Sequence, residues 1–502
     1  MRRISYRIPS GVELTSNKER PMLSTQLGGK VVLDRRLLML WKHADGREME
    51  KIIAGFRGGM SDPMLVRAGL ACLVEAGLLA REGETSSTEN YQLAQGNLVS
   101  IITVGFNSRE WLEICLPSLY DQLYEPLNVI LVDNGSTDGT AEWVEENFPD
   151  VKLLRLEKSL SLASALNMGM RDAKGEFFVL LNPDVKLEQC AIKWLVKVAQ
   201  DNPGCAAVAT KLKFLFAPAF LNGIGNYVGA TAYGTDSALG HLDLWQFDSW
   251  SEVPSACFAA TLIPAKAWED IGPLDENFPL YYEDSEWCYR ARLYGYHIKV
   301  SPHSSVYHAM GGRTSNDDTV DLAAWKLRRV VYGRLRFATR ILSFWYLLRF
   351  LFNYILEDCL GILLSLVRGH WDSTRSYLGA WGEYLKSLPE LKRERDTIQT
   401  QRIISDNELF EVQKKVPVPL VWRGLPQLTW DIVQNHYLSY LVSGKTREIQ
   451  EFSGLVDSES QILVVKQKKW SLGRAIGIWR EEGFAALLHR MGRDIQWFLM
   501  KP

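Results

Sequence analysis

The sequence lacks the cysteine patterns that indicate a disulfide framework or a zinc site. Its seven cysteines are an odd number, lie scattered between Cys72 and Cys359, and include no Cys-x-x-Cys pair. Structural zinc sites use closely spaced thiolates, and disulfide scaffolds need paired cysteines in an oxidising compartment. The pattern argues against both and favours a reducing, cytoplasmic setting.

The sequence also lacks an excess of one charge. The formal net charge is −2 over 502 residues, so no overall field favours nucleic acid, and we expect no nucleic-acid partner. The N-terminal arginines, Arg2 and Arg3, are not followed by an apolar core segment, so we expect no signal peptide. The length is sufficient for roughly two to four domains.

No uninterrupted apolar run reaches the roughly 18–20 residues of a transmembrane helix. The nearest is 341–367, which Arg349, Glu357 and Asp358 interrupt and which follows a basic stretch at 326–340. Basic residues beside Trp, Phe and Leu are typical of a helix that lies in a membrane surface. The alternative is a buried helix pair packed on the main domain, and the sequence leaves both open.

Changes in composition divide the chain into five parts. Helical spacing at 33–41, 48–57 and 62–76 predicts a small winged-helix-like accessory domain, which is also similar to PqqD-type peptide-binding modules. A polar stretch without apolar periodicity follows and indicates a linker. The predicted parts are an accessory domain at 1–83, a linker at 84–97, a main domain at 98–315, a helical region at 316–410 and an extension of unknown role at 411–502.

Strands and helices alternate in the main domain. We predict buried strands at 98–104, 127–132, 151–156 and 176–181, with helices at 110–123, 140–147 and 161–173 between them. This order implies a parallel sheet with right-handed crossovers. Ligands bind such sheets at the carboxyl ends of the strands, where Asp133 and Asp184 fall.

Four segments in this order carry a family resemblance. They are Val-Ser-Ile-Ile-Thr-Val-Gly-Phe-Asn-Ser (99–108), Val-Asp-Asn-Gly-Ser-Thr-Asp-Gly-Thr (132–140), Leu-Asn-Pro-Asp (181–184) and Tyr-Glu-Asp-Ser-Glu-Trp-Cys-Tyr-Arg (282–290). Together they resemble family 2 glycosyltransferases of the GT-A fold, and most of all the rhamnosyltransferase-like enzymes of polysaccharide assembly. The resemblance implies an α/β fold, with a nucleotide-diphospho-sugar transferase domain built on a mostly parallel sheet, beside the small N-terminal domain and the helical C-terminal region.

The resemblance implies a nucleotide-sugar site on the first strands. Asp133 occupies the place of a carboxylate that accepts hydrogen bonds from a uracil or thymine ring, and Thr103 and Asn107 would line the same pocket. Arg290 could reach the diphosphate, although a structural salt bridge explains it equally well. The donors implied are dTDP-rhamnose or a UDP-sugar.

A divalent metal, Mn²⁺ or Mg²⁺, is implied by the segment at 181–184. Asp184 can supply a carboxylate to a hard cation between two phosphates. Asn182 stands where the family has the first acid of Asp-x-Asp and brings only a neutral carbonyl. His308 matches a histidine that some relatives use as a further ligand, and a structural role for it stays open.

The acids Glu283 and Asp284 are the candidates for general base. Inverting transfer needs one ionised group to deprotonate the acceptor hydroxyl, and the family pattern favours Asp284 over Glu283. The alternative is that both acids merely begin a helix, whose dipole favours them.

These observations predict an inverting glycosyltransferase of cell-surface polysaccharide assembly. The acceptor would be a glycan or a lipid-linked sugar, and the enzyme would be cytoplasmic or peripheral at the inner face of the cell membrane. One alternative is transfer to a peptide or protein recruited by the N-terminal module. Another is a non-catalytic scaffold that binds sugar nucleotides.

Overall fold

The computed structural model describes a defined subset of the chain: residues 4–17, 20–24, 30–32, 35–56, 66, 69–70, 73–74, 78–82, 93–215, 217–228, 234–239, 243, 247–309 and 322–415. The predicted extension beyond residue 415, most of the linker and most of the third N-terminal helix lie outside these residues.

The N-terminal part combines two small antiparallel sheets with helices. Its elements are β1 (Ser5–Arg7), β2 (Glu13–Asn17), β3 (Arg20–Ser24), β4 (Lys30–Val32), α1 (Arg35–Ala44), β5 (Arg47–Glu48), α2 (Met49–Gly55) and β6 (Ala80–Glu82). Strand β1 pairs with β5 and β6, and β3 pairs with β2 and β4. Leu40, Ile52 and Leu70 are buried in a common core. Helices α1 and α2 agree with the predicted ones, while the winged-helix or PqqD-like assignment stays a prediction.

The main domain follows the predicted alternation of strands and helices. Its elements are β7 (Ala94–Gly105), α3 (Arg109–Tyr120), β8 (Tyr124–Asp133), α4 (Thr140–Asn147), β9 (Lys152–Arg155), α5 (Leu162–Asp172), β10 (Phe177–Leu181), β11 (Val185–Leu187), α6 (Ala191–Asp201), β12 (Cys205–Phe214), β13 (Ala217–Ile224), β14 (Asn226–Val228), β15 (Gly234–Asp236), β16 (Ala260–Pro264), α7 (Ala265–Ile271), α8 (Glu283–Leu293) and β17 (His297–His308). The four strands and three helices predicted between 98 and 181 all form.

Nine described strands make one sheet, in the order β11-β17-β12-β16-β10-β7-β8-β9 with β13 on β12. The first four strands joined by helical crossovers, β7 to β10, are parallel, as predicted. Strand β16 runs antiparallel between β10 and β12, and β11 and β13 also run antiparallel to their neighbours. The sheet is therefore mixed, which corrects the expectation of a mostly parallel sheet: the described residues between β15 and β16 contain no helix that could form a crossover.

Hydrophobic cores cover both faces of the sheet. One contains Ile102, Val132 and Leu166, and the other contains Ile101, Leu116 and Leu195. Strands buried on both faces need continuous β-branched and aliphatic runs, which is what the strand sequences provide. Gly169 of α5 lets that helix approach the sheet closely, because a Cβ atom there would lie 2.5 Å from Ile102 Cγ2.

A helical region follows the sheet. It comprises α9 (Leu322–Ile341), α10 (Phe344–Val367), α11 (Trp371–Thr400), α12 (Asp406–Glu411) and a 3-10 turn (Val412–Lys415). A core of Tyr289, Phe337 and Tyr354 joins α8, α9 and α10. Among the described helices, α10 is the one that is long and apolar enough to cross a membrane, and most of its length is not buried. Of the two alternatives for 341–367, the buried helix pair is not what forms: residues 344–367 make one helix, and only one side of it packs in the helical core.

Candidate active site

Two loops at the carboxyl ends of β7 and β8 form the first part of the site. Gly105 and Asp133 end these strands opposite each other. The backbone N–H of Asn107 donates to Ser136 Oγ over 2.9 Å, and the N–H of Thr137 donates to Asn107 Oδ1 over 2.8 Å. Asp133 is buried, and one of its carboxylate oxygens accepts from the N–H of Ser136. The structure therefore brings Asn107 and Asp133 together, as a shared nucleotide pocket requires.

Thr103 lies two residues before the end of β7 and is fully buried. Its hydroxyl has no hydrogen-bond partner among the described residues. Burial within the strand does not favour direct contact with a ligand, so its assignment to the nucleotide pocket stays a prediction.

Asp184 and His308 meet beside the end of β10. Strand β11, which follows Asp184, pairs with the end of β17, and His308 Nε2 lies 3.4 Å from Asp184 Oδ1. His308 Nδ1 lies 2.7 Å from Asn222 Oδ1. Because an amide oxygen only accepts, Nδ1 carries the proton in this bond and Nε2 faces Asp184. Burial opposes the charged imidazole, but the Asp184 carboxylate outweighs it and raises the pKa of His308 above its ordinary value.

Asp184 and His308 suit the divalent metal that the sequence implies. A carboxylate and an Nε2 atom whose ring is oriented through Nδ1 are suitable ligands. Within the described residues, no group of three or more His, Cys, Asp or Glu side chains could hold a metal ion alone. Asn182 is held through its backbone, which donates to Ala259 O over 3.0 Å. Asp184 and His308 thus fit a metal that also takes oxygen ligands from a diphosphate, which is how Mg²⁺ is usually held.

Glu283 and Asp284 begin α8 and have unequal surroundings. Asp284 Oδ1 accepts from the N–H and the hydroxyl of Ser285, and its Oδ2 accepts from Asn226 Nδ2 over 3.0 Å. Glu283 is buried, and its Oε2 has no hydrogen-bond partner in the described part of the chain. Hydrogen bonds stabilise the charged form of a carboxyl group, whereas burial without them stabilises the neutral form.

The protonation states follow from these surroundings. Burial and the neighbouring Asp284 carboxylate raise the pKa of Glu283 to about 8. Burial also raises the pKa of Asp284, and its hydrogen bonds from Ser285 and Asn226 oppose this. At neutral pH Glu283 therefore holds a proton, while the hydrogen bonds to Asp284 favour the charged form of that carboxyl group. The environment favours Asp284 as the base, in line with the sequence-based preference.

The turn before these acids has an unusual backbone. Tyr281 and Tyr282 both adopt positive φ, at 69° and 73°. This left-handed conformation is costly for bulky residues and occurs mainly at functional sites. The Tyr282 hydroxyl accepts from the N–H of Gly234 over 3.1 Å, and a Cβ atom at Gly333 would lie 2.8 Å from the Tyr282 ring. The packing of β15 and α9 against this tyrosine holds the acids in place.

Asp236 and Asn226 are site residues that sequence reasoning missed. They lie opposite each other in the β14–β15 ladder, and Asn226 bonds Asp284. Burial and Asp284 raise the pKa of Asp236 to about 6, and His308 also acts on it electrostatically. Asp236 is therefore close enough to both Asp284 and His308 to interact with them electrostatically. No recognisable motif surrounds it, so only the fold could have revealed it.

Two further side chains have contacts that argue against a direct role in the chemistry. The Arg290 guanidinium donates to the carbonyls of Ile271 and Pro273, each over 2.7 Å, and to the Glu286 carboxylate. These contacts favour the structural alternative for Arg290, and a role at the diphosphate stays a prediction. Burial and the nearby acids raise the pKa of the Cys257 thiol well above its ordinary value, so it is not a thiolate nucleophile.

The sequence match to known proteins covers the strands that position Asn107, Asp133 and Asp184. Residues 100–216 match the model of the family described as glycosyl transferase family 2. This stretch contains Asn107, Asp133 and Asp184 and ends before Glu283, Asp284 and His308. The match supports a family 2 glycosyltransferase domain in this chain.

Individual relatives are distant. The chain is 27% identical over 257 residues to an uncharacterised protein of Sinorhizobium fredii, covering 48% of this chain and 28% of that protein. It is 25% identical over 252 residues to an N-acetylglucosaminyl-diphospho-decaprenol L-rhamnosyltransferase of Mycobacterium tuberculosis, covering 45% of this chain and 81% of the relative. A solved structure of a mannosyltransferase from Pyrobaculum calidifontis is 15% identical, with a TM-score of 0.38. The match covers 81% of this chain and 98% of that one.

Proposed function

We propose that this protein is an inverting glycosyltransferase, which moves a sugar from a nucleoside diphosphate donor to a glycan or lipid-linked acceptor in cell-surface glycan assembly. One observation carries the proposal. The buried Glu283 and the partly buried Asp284, whose carboxylate accepts hydrogen bonds from Asn226 and Ser285, occur in the same domain as a second group, Asp184 and His308, that can receive a diphosphate through a metal.

Asp284 is the general base in this proposal. Its carboxylate accepts the proton of an acceptor hydroxyl while that oxygen attacks the anomeric carbon. The bond from this carbon to the diphosphate oxygen breaks on the opposite side, which inverts the configuration. Such proton transfer contributes typically 10²–10⁴-fold to a rate. Asn226 and Ser285 hold the carboxylate in position and favour its charged form.

The donor is held at the carboxyl ends of the strands. Asp133 and Asn107 receive the base of the nucleotide, and the exposed face of their loops receives its ribose. Asp184 and His308 would hold a divalent metal, which when bound neutralises the charge that develops on the leaving diphosphate. Asn222 keeps the imidazole of His308 oriented for this task.

The acceptor class follows from the resemblance to rhamnosyltransferases of polysaccharide assembly and from the named relative, whose own name specifies a lipid-linked acceptor. We place the enzyme in the cytoplasm, at the inner face of the cell membrane, where nucleotide sugars and lipid-linked acceptors meet. The preferred donors are dTDP-rhamnose and UDP-sugars.

A donor-hydrolysis panel tests the function. The full chain is incubated with dTDP-rhamnose, UDP-hexoses or GDP-mannose, with Mn²⁺ or with a chelator, and nucleoside diphosphate release is measured. We expect release from one donor class in the presence of Mn²⁺, and loss of the metal response in Asp184→Asn.

The control for this panel is Asp201→Asn, which changes an exposed acid at the end of α6 and leaves the strand ends intact. It should behave as the wild type. Nucleotide binding without release from any donor, with or without an added glycan acceptor, would contradict the proposal and favour the non-catalytic scaffold.

A further inference from the structure

Helix α10 carries a continuous apolar stripe on its exposed side. Large apolar side chains recur every three or four residues along 24 residues, or about 36 Å of helix. The most exposed are Trp345 at 77%, Val367 at 70% and Phe352 at 64%. The remaining exposed apolar members are Phe344, Leu348, Ile355, Leu356, Leu360, Leu363 and Leu366. Soluble proteins rarely expose a contiguous apolar surface of this extent unless it is an interaction site.

The opposite side of α10 is fixed to the protein. Leu347, Phe350 and Tyr354 are buried in the helical core. Both acids of the helix, Glu357 and Asp358, pair with the fully buried Arg334 of α9. Turning the helix to cross a bilayer would separate these buried charges, which is strongly unfavourable. The arrangement therefore fits a helix that lies in a membrane surface rather than one that crosses it.

The charge of the exposed side is positive. Between residues 344 and 369, the exposed charged side chains are Arg349 and Arg368, while the two acids turn inward to Arg334. Trp345 lies at one end of the stripe, and Trp371, 61% exposed, follows its other end. Tryptophans at the ends and cations beside the apolar stripe are typical of helices that insert into the headgroup region of anionic membranes.

We propose that the exposed side of α10 docks the protein on an anionic lipid bilayer. A second copy of the chain fits this surface less well, because the stripe offers no exposed acid to pair with the partner's arginines. Lipid phosphates supply those partners while the acyl chains receive the apolar side chains.

The docking surface is connected to the site through α9. Gly333 contacts the Tyr282 ring, and the next residue, Arg334, holds Glu357 and Asp358 of α10. A docked α10 would therefore fix the turn before Glu283 and Asp284 relative to the membrane. This consequence rests on the proposed function, whereas the docking itself does not.

Vesicle co-sedimentation of the full chain tests the docking. The probes are vesicles of phosphatidylcholine alone and vesicles that also contain phosphatidylglycerol. We expect sedimentation with the anionic vesicles, reduced roughly tenfold or more in Trp345→Ser/Phe352→Ser, because two large apolar side chains no longer leave water. Arg349→Glu should weaken binding to anionic vesicles only.

The matched control is Leu93→Ser/Ile403→Ser, which removes two exposed apolar side chains elsewhere. It should sediment as the wild type does, and all variants should keep the wild-type melting temperature. Absence of wild-type sedimentation, equal sedimentation of the α10 double variant, or a dimer that this variant dissociates while vesicles bind nothing would each overturn the proposal. None of these readouts requires glycosyl transfer, so they are independent of the proposed activity.

Discussion

The three acids in the first turn of α8 have two opposite kinds of surroundings. Glu283 and Asp284 in the first turn have no ion pair with arginine or lysine among the described residues, and both have raised pKa values. Glu286, in the same turn but facing the helical region, is fully buried and lies 3.0 Å from both Arg290 Nε and Arg340 Nε. No arginine or lysine therefore offsets the burial of Glu283 and Asp284 among the described residues, whereas two arginines offset the burial of Glu286.

The comparison extends beyond α8. Beneath the site, Arg336 pairs with Asp275 over 2.5 Å, and Arg336 and Arg340 also contact Glu394 of α11. These compensated acids join α8, α9 and α11 into one unit. At the site, Asp236 adds a further acid with a raised pKa. The acids Asp236, Glu283 and Asp284, which have no ion pair among the described residues, lie where a sugar nucleotide and its acceptor would bind in the proposed function. The acids that pair with arginine join the helices to one another.

The largest expected effect comes from Asp284→Asn. This change keeps the shape of the side chain and removes the proposed base, so kcat should fall by about 10²–10⁴-fold. Donor affinity should stay within about twofold, and the melting temperature should change little, because burial disfavours the Asp284 carboxylate while asparagine keeps one oxygen that can accept from Ser285. Steady-state kinetics, nucleotide titration and thermal melting measure the three quantities.

The matched control for this variant is Asp270→Asn, an exposed acid on α7 that pairs with Lys266. It should leave kcat unchanged. Full transfer activity in Asp284→Asn would show that Asp284 is not the base.

The second effect should appear in stability rather than catalysis. Glu286→Gln leaves Arg290 and Arg340 with one carboxylate fewer in a buried setting, and removing one partner of a buried pair costs about 3–5 kcal/mol. Asp275 and Glu394 remain near Arg340, so we expect the lower end of that range. Urea unfolding measures the change. A variant that unfolds as the wild type does but has lost kcat would assign Glu286 to the chemistry instead.

Local sequence information was sufficient for the strands and for part of the site. The runs at 98–104 and 176–181 are typical of strands, and the alternation with helices predicts that Asp133 and Asp184 lie at the edge where such strands end. The resemblance added the acids at 283–284. The strand runs and the segments that carry the resemblance are each short and continuous in the chain, so they can be recognised without knowing the fold.

Contacts between distant segments could not be predicted in this way. Asn222 orients His308 from 86 residues away, and Asn226 reaches Asp284 from a hairpin without a motif. The antiparallel course of β16 depends on a connection whose sequence has no regular pattern. The two arginine partners of Glu286 were likewise hidden, because a charged residue in a helix gives no sign of which face it will bury. Tertiary packing decides these features.

The smallest effect on transfer among the two acids of the first turn is expected for Glu283→Gln, and it distinguishes these acids. In the folded protein the pKa of Glu283 is about 8, against an ordinary value of 4.5. Between these values the folded state keeps a proton that the unfolded chain has released, so the folded state binds more protons. Its stability therefore falls as pH rises through this window. The contribution is fully present below about 4.5 and is lost as pH passes about 8.

Glutamine cannot ionise, so the variant should lose this part of the pH dependence. The difference in unfolding free energy between wild type and Glu283→Gln should shift in favour of the variant from about pH 4.5 to about pH 8 and change little above that. Transfer at neutral pH should stay within about tenfold of the wild type, because the wild-type Glu283 is already neutral there and Asp284 remains the base. Urea titrations across the window and kcat at neutral pH test both statements. Abolished transfer with an unchanged stability profile would reverse the roles of the two acids, because Glu283 would then be the group that carries the charge.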